Sequence, residues 1–218
     1  MKKHIPNLIT SLNLAIGCVG IFYVLTESRS EAIYFVILAG IFDFMDGFAA
    51  RLLKVKSEIG KQLDSLADLI SFGLLPAFFL LVWMQQNTPY YWIAIIVAVF
   101  SALRLAKFNV DDSQTDSFVG LPTPANAIMI TSLVFLPFEL YWYTLVSICI
   151  LSAVLLVSPV RLLSLKFSTF SWKGNEPRWA LIFGSIVLIV IFQWAFLPFL
   201  IPFYLVVSIL SSLLMKQG

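Results

Sequence analysis

Long apolar runs fill most of this chain and limit what it can fold into. A membrane-spanning helix needs about 20 mostly apolar residues. Eight stretches approach that length, at about 7–26, 32–54, 58–84, 89–108, 122–138, 141–159, 178–194 and 197–215. They are much longer than the roughly ten alternating residues of a barrel strand. The sequence therefore predicts an all-α fold, a polytopic integral membrane bundle of eight transmembrane helices.

The composition agrees with a membrane protein. Hydrophobic residues make up 60% of the 218 residues and charged residues 12%, whereas soluble domains are about half apolar and about a quarter charged. The basic residues do not form the patch that a nucleic-acid-binding protein needs, so we expect no nucleic-acid partner. Because the longest polar connection covers only about 165–177, we expect one membrane-embedded domain over residues 1–218.

The basic residues are distributed asymmetrically. If eight helices cross the membrane, both termini lie on the same side, and every one of the 14 Lys and Arg residues except Arg29 falls on that side. Cytoplasmic loops carry the excess of Lys and Arg in membrane proteins. The sequence therefore predicts a multi-pass protein of the cytoplasmic membrane with both termini in the cytoplasm.

Four aspartates interrupt the second and third apolar runs. Asp43 and Asp46 are three residues apart, and Asp64 and Asp68 are four apart, so each pair shares one helix face. The short connection between the runs predicts an antiparallel hairpin, in which Asp43 lies level with Asp68 and Asp46 with Asp64. At 1.5 Å per residue, the cluster would lie roughly 12–18 Å from the cytoplasmic turn.

Such a cluster needs compensation. Two like charges about 6 Å apart repel by about 3 kcal/mol at an effective dielectric of 20, and the six pairs together would cost on the order of 15 kcal/mol, as much as a fold's whole stability. Either the acids are protonated or cations bind. Carboxylates without His or Cys favour Mg²⁺ or Mn²⁺, with Ca²⁺ as a third candidate, and two ions would form a two-metal site. The alternative is that the acids only hydrogen-bond neighbouring helices.

Residues around the acids add binding chemistry. Gly47, Ala50 and Gly60 would let a ligand approach the backbone, although small residues also serve close helix packing. Arg51 could hold a phosphate or anchor the helix at the membrane surface. Ser57 could cap the third helix while offering its hydroxyl.

Two further polar groups lie at the cytoplasmic ends of predicted helices. Asn7, Thr10 and Asn13 fall near one face of the first helix and could meet a nucleotide base or ribose, or else serve as caps and interhelical hydrogen bonds. Arg104 and Lys107 are three residues apart on the fourth helix. They could hold a substrate carboxylate or a lipid phosphate, or only anchor the helix.

The acids and small residues together form a longer pattern. Its fixed positions are Asp43, Asp46, Gly47, Ala50, Arg51, Gly60, Asp64 and Asp68. This pattern resembles the signature of the CDP-alcohol phosphotransferase family, with every fixed position and spacing present. The resemblance implies an integral membrane enzyme, commonly a homodimer with a six-helix core, in which an alcohol displaces CMP from a CDP-linked lipid.

The resemblance also implies roles for these residues. The four aspartates would hold two divalent ions, and Asp68 would also accept the proton of the alcohol. The CDP part would be held by Gly47, Ala50, Arg51, Ser57 and Gly60. The six-helix core would cover about 5–160, so the two helices at about 178–215 depart from the family pattern.

A wider set of segments resembles one branch of this family, the bacterial and archaeal phosphatidylserine synthases. The matching segments are 5–13, 64–77, 104–109 and 118–127. The branch implies CDP-diacylglycerol as donor, L-serine as acceptor, and Arg104, Lys107 and Asn109 as candidates for holding serine. Lys107 stands where the branch usually has Arg, which keeps the charge.

Two other functions remain open from the sequence. The same chemistry could use another acceptor, glycerol 3-phosphate or inositol phosphate, although a phosphorylated acceptor needs more cations than Arg104 and Lys107. In a different class, the acids could be the path of a cation or proton transporter. Transporters often carry inverted repeats with broken helices in both halves, whereas these acids occupy a single hairpin.

Overall fold

The computed structural model describes residues 4–55, 57–110, 118–163, 172 and 175–215, with the side chains of Phe118, Arg161 and 212–215 left out. The α-helices are α1 (His4–Thr26), α2 (Ala32–Leu52), α3 (Glu58–Asp68), α4 (Leu75–Gln85), α5 (Ile95–Val110), α6 (Thr123–Thr131), α7 (Trp142–Val157), α8 (Glu176–Phe192) and α9 (Leu197–Met215). Shorter 3₁₀ turns cover Arg29–Glu31, Pro89–Ala94, Ser132–Phe135 and Gln193–Phe196. A two-residue antiparallel pair joins β1 (Phe118–Val119) to β2 (Arg161–Leu162).

Five helical stretches in the described part of the chain are long and apolar enough to cross a membrane. They are His4–Thr26, Arg29–Leu52, Glu58–Gln85, Pro89–Val110 and Glu176–Ser211. This confirms the all-helical membrane bundle. The number of crossings, predicted as eight, stays a prediction.

Two apolar helices are shorter than the sequence suggests. Thr123–Phe135 and Trp142–Val157 extend only about 20 and 24 Å at 1.5 Å per residue, against a hydrocarbon core of about 30 Å. The apolar run at 122–138 predicted a longer helix, but Leu136 has an extended backbone (φ −67°, ψ 135°) and ends it just before Pro137. Hydrophobicity continues past this break, so it could not locate the helix end.

The segment from Glu58 to Gln85 forms the centre of the bundle. It contains α3, a six-residue π-helix at Leu69–Leu74, and α4. Phe72, Leu75, Phe79, Leu80 and Met84 are all fully buried in the core. The π-helix follows Asp68 directly, and π-helical turns inside α-helices often occur at functional sites.

The first helix lies against both acid-bearing helices. Each of α2 and α3 packs more extensively on α1 than on the other. The two acid-bearing helices therefore do not form the predicted tight hairpin. They border a cleft, and α1 packs against both of them at its base.

The structure describes only some of the basic residues from which the membrane orientation is predicted. Lys2, Lys3, Lys56, Lys166, Lys173 and Lys216, which contribute to the predicted asymmetry, lie outside the described residues.

Candidate functional site

The predicted acids meet at the cleft between α2 and α3. Asp43, Asp64 and Asp68 each place one carboxylate oxygen within 4.8 Å of the others. Asp46 is only 6% exposed, and its Oδ2 accepts a hydrogen bond from the Thr10 hydroxyl at 2.5 Å. The structure thus brings three acids into one group and holds the fourth against α1.

These donors fit a hard divalent cation. All of the ligand atoms are carboxylate oxygens, the type that Mg²⁺ and Mn²⁺ prefer. Asp68 Oδ1 is buried without a hydrogen-bond partner. In the part of the chain that the structure describes, no Lys or Arg lies within 4.0 Å of any of the four carboxylates. The negative charge therefore has no ion-pair partner among these residues.

A buried hydrogen-bond pair supports Asp68 from α1. Asn13 and Ser71 are both fully buried. The Ser71 hydroxyl lies 2.8 Å from Asn13 Oδ1 and 3.1 Å from the Asn13 carbonyl oxygen, and it donates to them. Asn13 Nδ2 faces the Asp68 carboxylate and makes no close hydrogen bond to any described residue. Because the Asn13 Oδ1 accepts the Ser71 hydrogen bond, the amide nitrogen of Asn13 is the end that faces Asp68.

A cavity of about 490 Å³ opens beside the acids, at the end of the cleft where the connection between α2 and α3 lies. Its lining consists of Pro6, Asn7, Thr10, Asp46, Gly47, Ala50, Val55, Ser57, Glu58, Gly60, Lys61 and Asp64. Six of the eight residues predicted to bind the CDP part lie in this lining. Asn13 and Arg51 do not.

Local structure explains why small residues stand here. A methyl group at Gly47 would meet nothing within 4 Å, so this glycine leaves space in the cavity rather than packing against a helix. A methyl group at Gly60 would lie 2.9 Å from Asn7 Oδ1, so Gly60 lets α3 approach α1. Ser57 Oγ accepts a hydrogen bond from the Gly60 amide at 3.2 Å and caps α3, which confirms the predicted cap.

Arg51 lies at the edge of this region. Its side chain is exposed, and its Nε donates a hydrogen bond to the Gly47 carbonyl oxygen at 3.0 Å. No other described residue accepts a hydrogen bond from this guanidinium, so its remaining donors could meet a ligand or a lipid headgroup.

The acceptor candidates lie on α5, behind Asp68. Arg104 is only 8% exposed, its Nε has no hydrogen-bond partner, and it interacts electrostatically with Asp68. Lys107 is exposed and lines a small cavity of about 50 Å³ together with Arg104 and Ser158. Asn109 Nδ2 donates to Ser65 Oγ at 2.8 Å, so its amide ties α5 to α3.

Sequence reasoning missed Lys61. It lines the cavity, and its Nζ donates to the Asn109 carbonyl oxygen at 3.0 Å. Its position, four residues after Ser57 and three before Asp64, places it on the same helix face, and this spacing could have identified it.

The amino-acid sequence of this chain is similar to a known protein family and to several named proteins. The family model of CDP-alcohol phosphatidyltransferase matches residues 3–214. A Mycobacterium leprae protein named CDP-diacylglycerol–serine O-phosphatidyltransferase is 31% identical over 223 residues, covering 96% of this chain and 73% of that protein. Proteins with the same name from Helicobacter pylori strain 26695 (31% identity, 84% of this chain and 81% of that protein) and Bacillus subtilis (35%, 56% and 70%) are also similar.

Proposed function

Because this chain belongs to the CDP-alcohol phosphatidyltransferase family, we propose that it transfers the phosphatidyl group of CDP-diacylglycerol to the hydroxyl of L-serine and releases CMP. The observation that carries the proposal is the group of Asp43, Asp64 and Asp68, whose carboxylate oxygens lie within 4.8 Å of one another, beside a cavity lined by the signature residues Asp46, Gly47, Ala50 and Gly60. The shared name of the relatives supports serine as the acceptor.

The four aspartates would hold two divalent ions, Mg²⁺ or Mn²⁺, with Ca²⁺ as a third candidate. Such ions, when bound, neutralise a diphosphate and polarise its phosphorus. Thr10 holds the Asp46 carboxylate in place through their 2.5 Å hydrogen bond, so one acid of the set is oriented before any ligand arrives.

The cavity lining would bind the CDP part of the donor. Gly47 leaves open space next to Asp46, which lets the diphosphate approach the α2 backbone. Lys61 and Arg51 supply positive charge at the two sides of the cleft, while Asn7 offers an amide to the nucleoside. Positioning of this kind is a major part of catalysis in phosphoryl transfer.

Asp68 would act as the general base. Its carboxylate lies in the acid group with Asp43 and Asp64, and its Oδ1 accepts no hydrogen bond from the described residues, so it would accept the serine hydroxyl proton, directly or through one water, once the acceptor enters the cleft. The serine oxygen then forms a bond to the phosphorus on the lipid side as the bond from that phosphorus to the CMP oxygen breaks. Arg104 and Lys107 would hold the serine carboxylate, and Asn109 would keep α5 against α3 through Ser65.

The membrane arrangement completes the proposal. The whole chain would be one domain, with a six-helix core at about 5–160 and two additional helices at about 178–215. All eight helices would cross the cytoplasmic membrane, with both termini and the acid cluster on the cytoplasmic side, and the protein would form a homodimer in which the donor's acyl chains remain in the lipid.

A substrate panel tests the activity. Purified protein is supplied with CDP-diacylglycerol and, separately, with L-serine, glycerol 3-phosphate, inositol phosphate or no acceptor, with Mg²⁺, Mn²⁺ or EDTA. We expect phosphatidylserine and CMP in equal amounts, only with serine and only without EDTA. Product with another acceptor but not with serine would overturn the proposed acceptor, and ion flux through vesicles without CMP release would favour a transporter.

A further inference from the structure

A second cavity lies at the opposite end of the bundle from the acids. It has a volume of about 930 Å³ and lies between the 3₁₀ turn before α2, the end of α4 and the loop from α6 to α7. Arg29, in its wall, precedes Asp43 by 14 residues, about 21 Å along a helix. This cavity is therefore too far away to belong to the proposed active site.

One wall of the cavity carries a fixed cation. The Arg29 guanidinium lies 4.8 Å from the centroid of the Trp83 ring, a cation–π contact that holds its plane in place. Trp83 itself is only 9% exposed. In the described part of the chain, no side chain or backbone group makes a hydrogen bond or ion pair with this guanidinium. Its donors are therefore available to an anion.

The loop between α6 and α7 supplies an opposite charge. Glu139 lines the same cavity and is exposed. It interacts electrostatically with Arg29, but the two do not come within the 4.0 Å of an ion pair. The cavity thus presents a positive and a negative group, separated from each other, to one open pocket.

Aromatic side chains surround the opening. Tyr90 and Trp142 have ring centroids 6.1 Å apart, and Tyr141 is 69% exposed. Tyr and Trp concentrate where a membrane meets water, because their rings are apolar and their tips polar. Tyr141 and Trp142 line the cavity, and this composition favours a position at the depth of lipid headgroups.

We propose that this cavity binds the headgroup of a zwitterionic phospholipid from the leaflet opposite the acid cluster, with the lipid phosphate on Arg29 and the ammonium group at Glu139. A guanidinium offers a fork of donors that matches phosphate geometry. A headgroup that carries both charges can interact with both Arg29 and Glu139, whereas an anionic headgroup without an ammonium group can interact only with Arg29.

Native mass spectrometry of the full-length protein tests this site. The protein in detergent is titrated with phosphatidylethanolamine or phosphatidylglycerol, and the bound fraction is read for the wild type, Arg29→Gln and Glu139→Gln. We expect the wild type to prefer phosphatidylethanolamine. Arg29→Gln should bind it about tenfold more weakly, equivalent to about 1.4 kcal/mol, and Glu139→Gln should lose the preference between the two lipids.

Matched controls separate the site from overall charge. Lys54→Gln removes one positive charge at the other end of the bundle, and Glu27→Gln removes one negative charge at the same end but outside this cavity. Both should bind phosphatidylethanolamine like the wild type. Glu139 lies on an exposed loop, so its variant reports on the site even if Arg29→Gln folds poorly.

In the lipid titrations, three results would overturn the proposal. These are equal binding of the two lipids by the wild type, wild-type binding by a folded Arg29→Gln variant, or an unchanged preference in Glu139→Gln. A further titration with soluble glycerophosphoethanolamine distinguishes the source of the headgroup. Failure of this compound to compete at millimolar concentration supports a lipid, and full competition overturns a lipid ligand.

Discussion

Asp46 and Asp68 have the same side chain but different surroundings. Asp46 accepts a short hydrogen bond from Thr10, whereas Asp68 Oδ1 is buried and, within the described part of the chain, accepts no close hydrogen bond, although the Asn13 amide faces this carboxylate. A carboxylate that is already hydrogen-bonded is a weaker proton acceptor, because the bond favours its charged form. This difference supports Asp68, rather than Asp46, as the general base.

Replacing Asp68 by Asn tests this role. The amide keeps the size of the side chain but cannot accept the proton, and general-base catalysis contributes about 10²–10⁴-fold. We expect phosphatidylserine formation to fall by about that factor while CDP-diacylglycerol binding is largely retained. Initial rates and a titration with a CDP-lipid measure the two properties. A near-wild-type rate would refute Asp68 as the base.

Ser71 would position this base through Asn13. Ser71→Ala removes the hydroxyl that fixes the Asn13 amide, so the amide can turn away from Asp68. We expect kcat to fall about fivefold, on the scale of one lost hydrogen bond of about 1 kcal/mol, with little change in KM for CDP-diacylglycerol. Steady-state kinetics separates the two constants.

Ser101 provides the control for that variant. It is also a fully buried serine, but its hydroxyl has no hydrogen-bond partner. Ser101→Ala should therefore keep the wild-type kcat. Equal losses in the two variants would indicate a general packing effect and contradict a positioning role for Ser71.

At the scale of single elements, α2 has two glycines that serve different purposes. A methyl group at Gly47 would meet open space in the cavity, whereas one at Gly40 would lie 3.9 Å from the Phe72 ring, an ordinary contact. Alanine is favoured over glycine inside a helix by about 1 kcal/mol. Both changes should therefore maintain or raise the stability of the protein.

Only the change at Gly47 should affect the substrate. Gly47→Ala places a methyl group where the diphosphate would approach α2, so we expect KM for CDP-diacylglycerol to rise about tenfold, equivalent to about 1.4 kcal/mol. Gly40→Ala should keep the wild-type KM. Thermal unfolding and kinetics of both variants measure the two effects, and an unchanged KM in Gly47→Ala would show that the cavity does not hold the donor there.

The sequence predicted the elements of the site better than their packing. Helical spacing placed Asp64 on the same helix face as Asp68, local sequence identified Ser57 as a cap, and the short connection between the two acid-bearing helices placed Asp43 level with Asp68. It could not predict that α2 and α3 each pack mainly on α1, because this depends on contacts between distant segments. For the same reason Asn13, expected near the nucleotide, lies behind Asp68 beside Ser71.

At the scale of the whole molecule, hydrophobicity predicted the bundle but not every helix length. The run at 122–138 includes Leu136, where the backbone leaves the helix, and apolar composition does not change at that point. The cavity at Arg29 and Glu139 was also missed. Its walls come from three separate parts of the chain, and only the folded bundle brings them together.

The unpaired acids also affect the stability of the whole protein. Cations that bind only the folded state stabilise it by about 2.7 kcal/mol at 100 times their dissociation constant, which raises Tm by about 5–10 °C for a chain of this size. We expect Mg²⁺ or Mn²⁺ to produce such a rise after EDTA treatment, measured by thermal unfolding. Asp64→Asn should lose most of the rise, whereas Glu27→Gln should keep it; equal rises in all three would contradict an aspartate metal site.

Sidedness is the property on which the membrane arrangement depends most. In an otherwise cysteine-free chain, made with Cys18→Ala and Cys149→Ala, single cysteines replace the exposed residues Asn87, Trp194, Lys54 and Pro159 in turn. If all eight helices cross, the first two positions face outward, and an impermeant maleimide should label them in intact cells. Lys54 and Pro159 lie at the other ends of their helices and should be labelled only after permeabilisation.

The position at Trp194 distinguishes eight crossings from fewer. Gln193 has a left-handed backbone (φ 51°) at the end of α8, and α9 packs against α8, which is the geometry of two helices that cross in opposite directions. Labelling of Trp194→Cys only after permeabilisation would mean that α8 and α9 do not form such a pair. It would leave the acid cluster unchanged, because α1, α2 and α3 position those acids without α8 or α9.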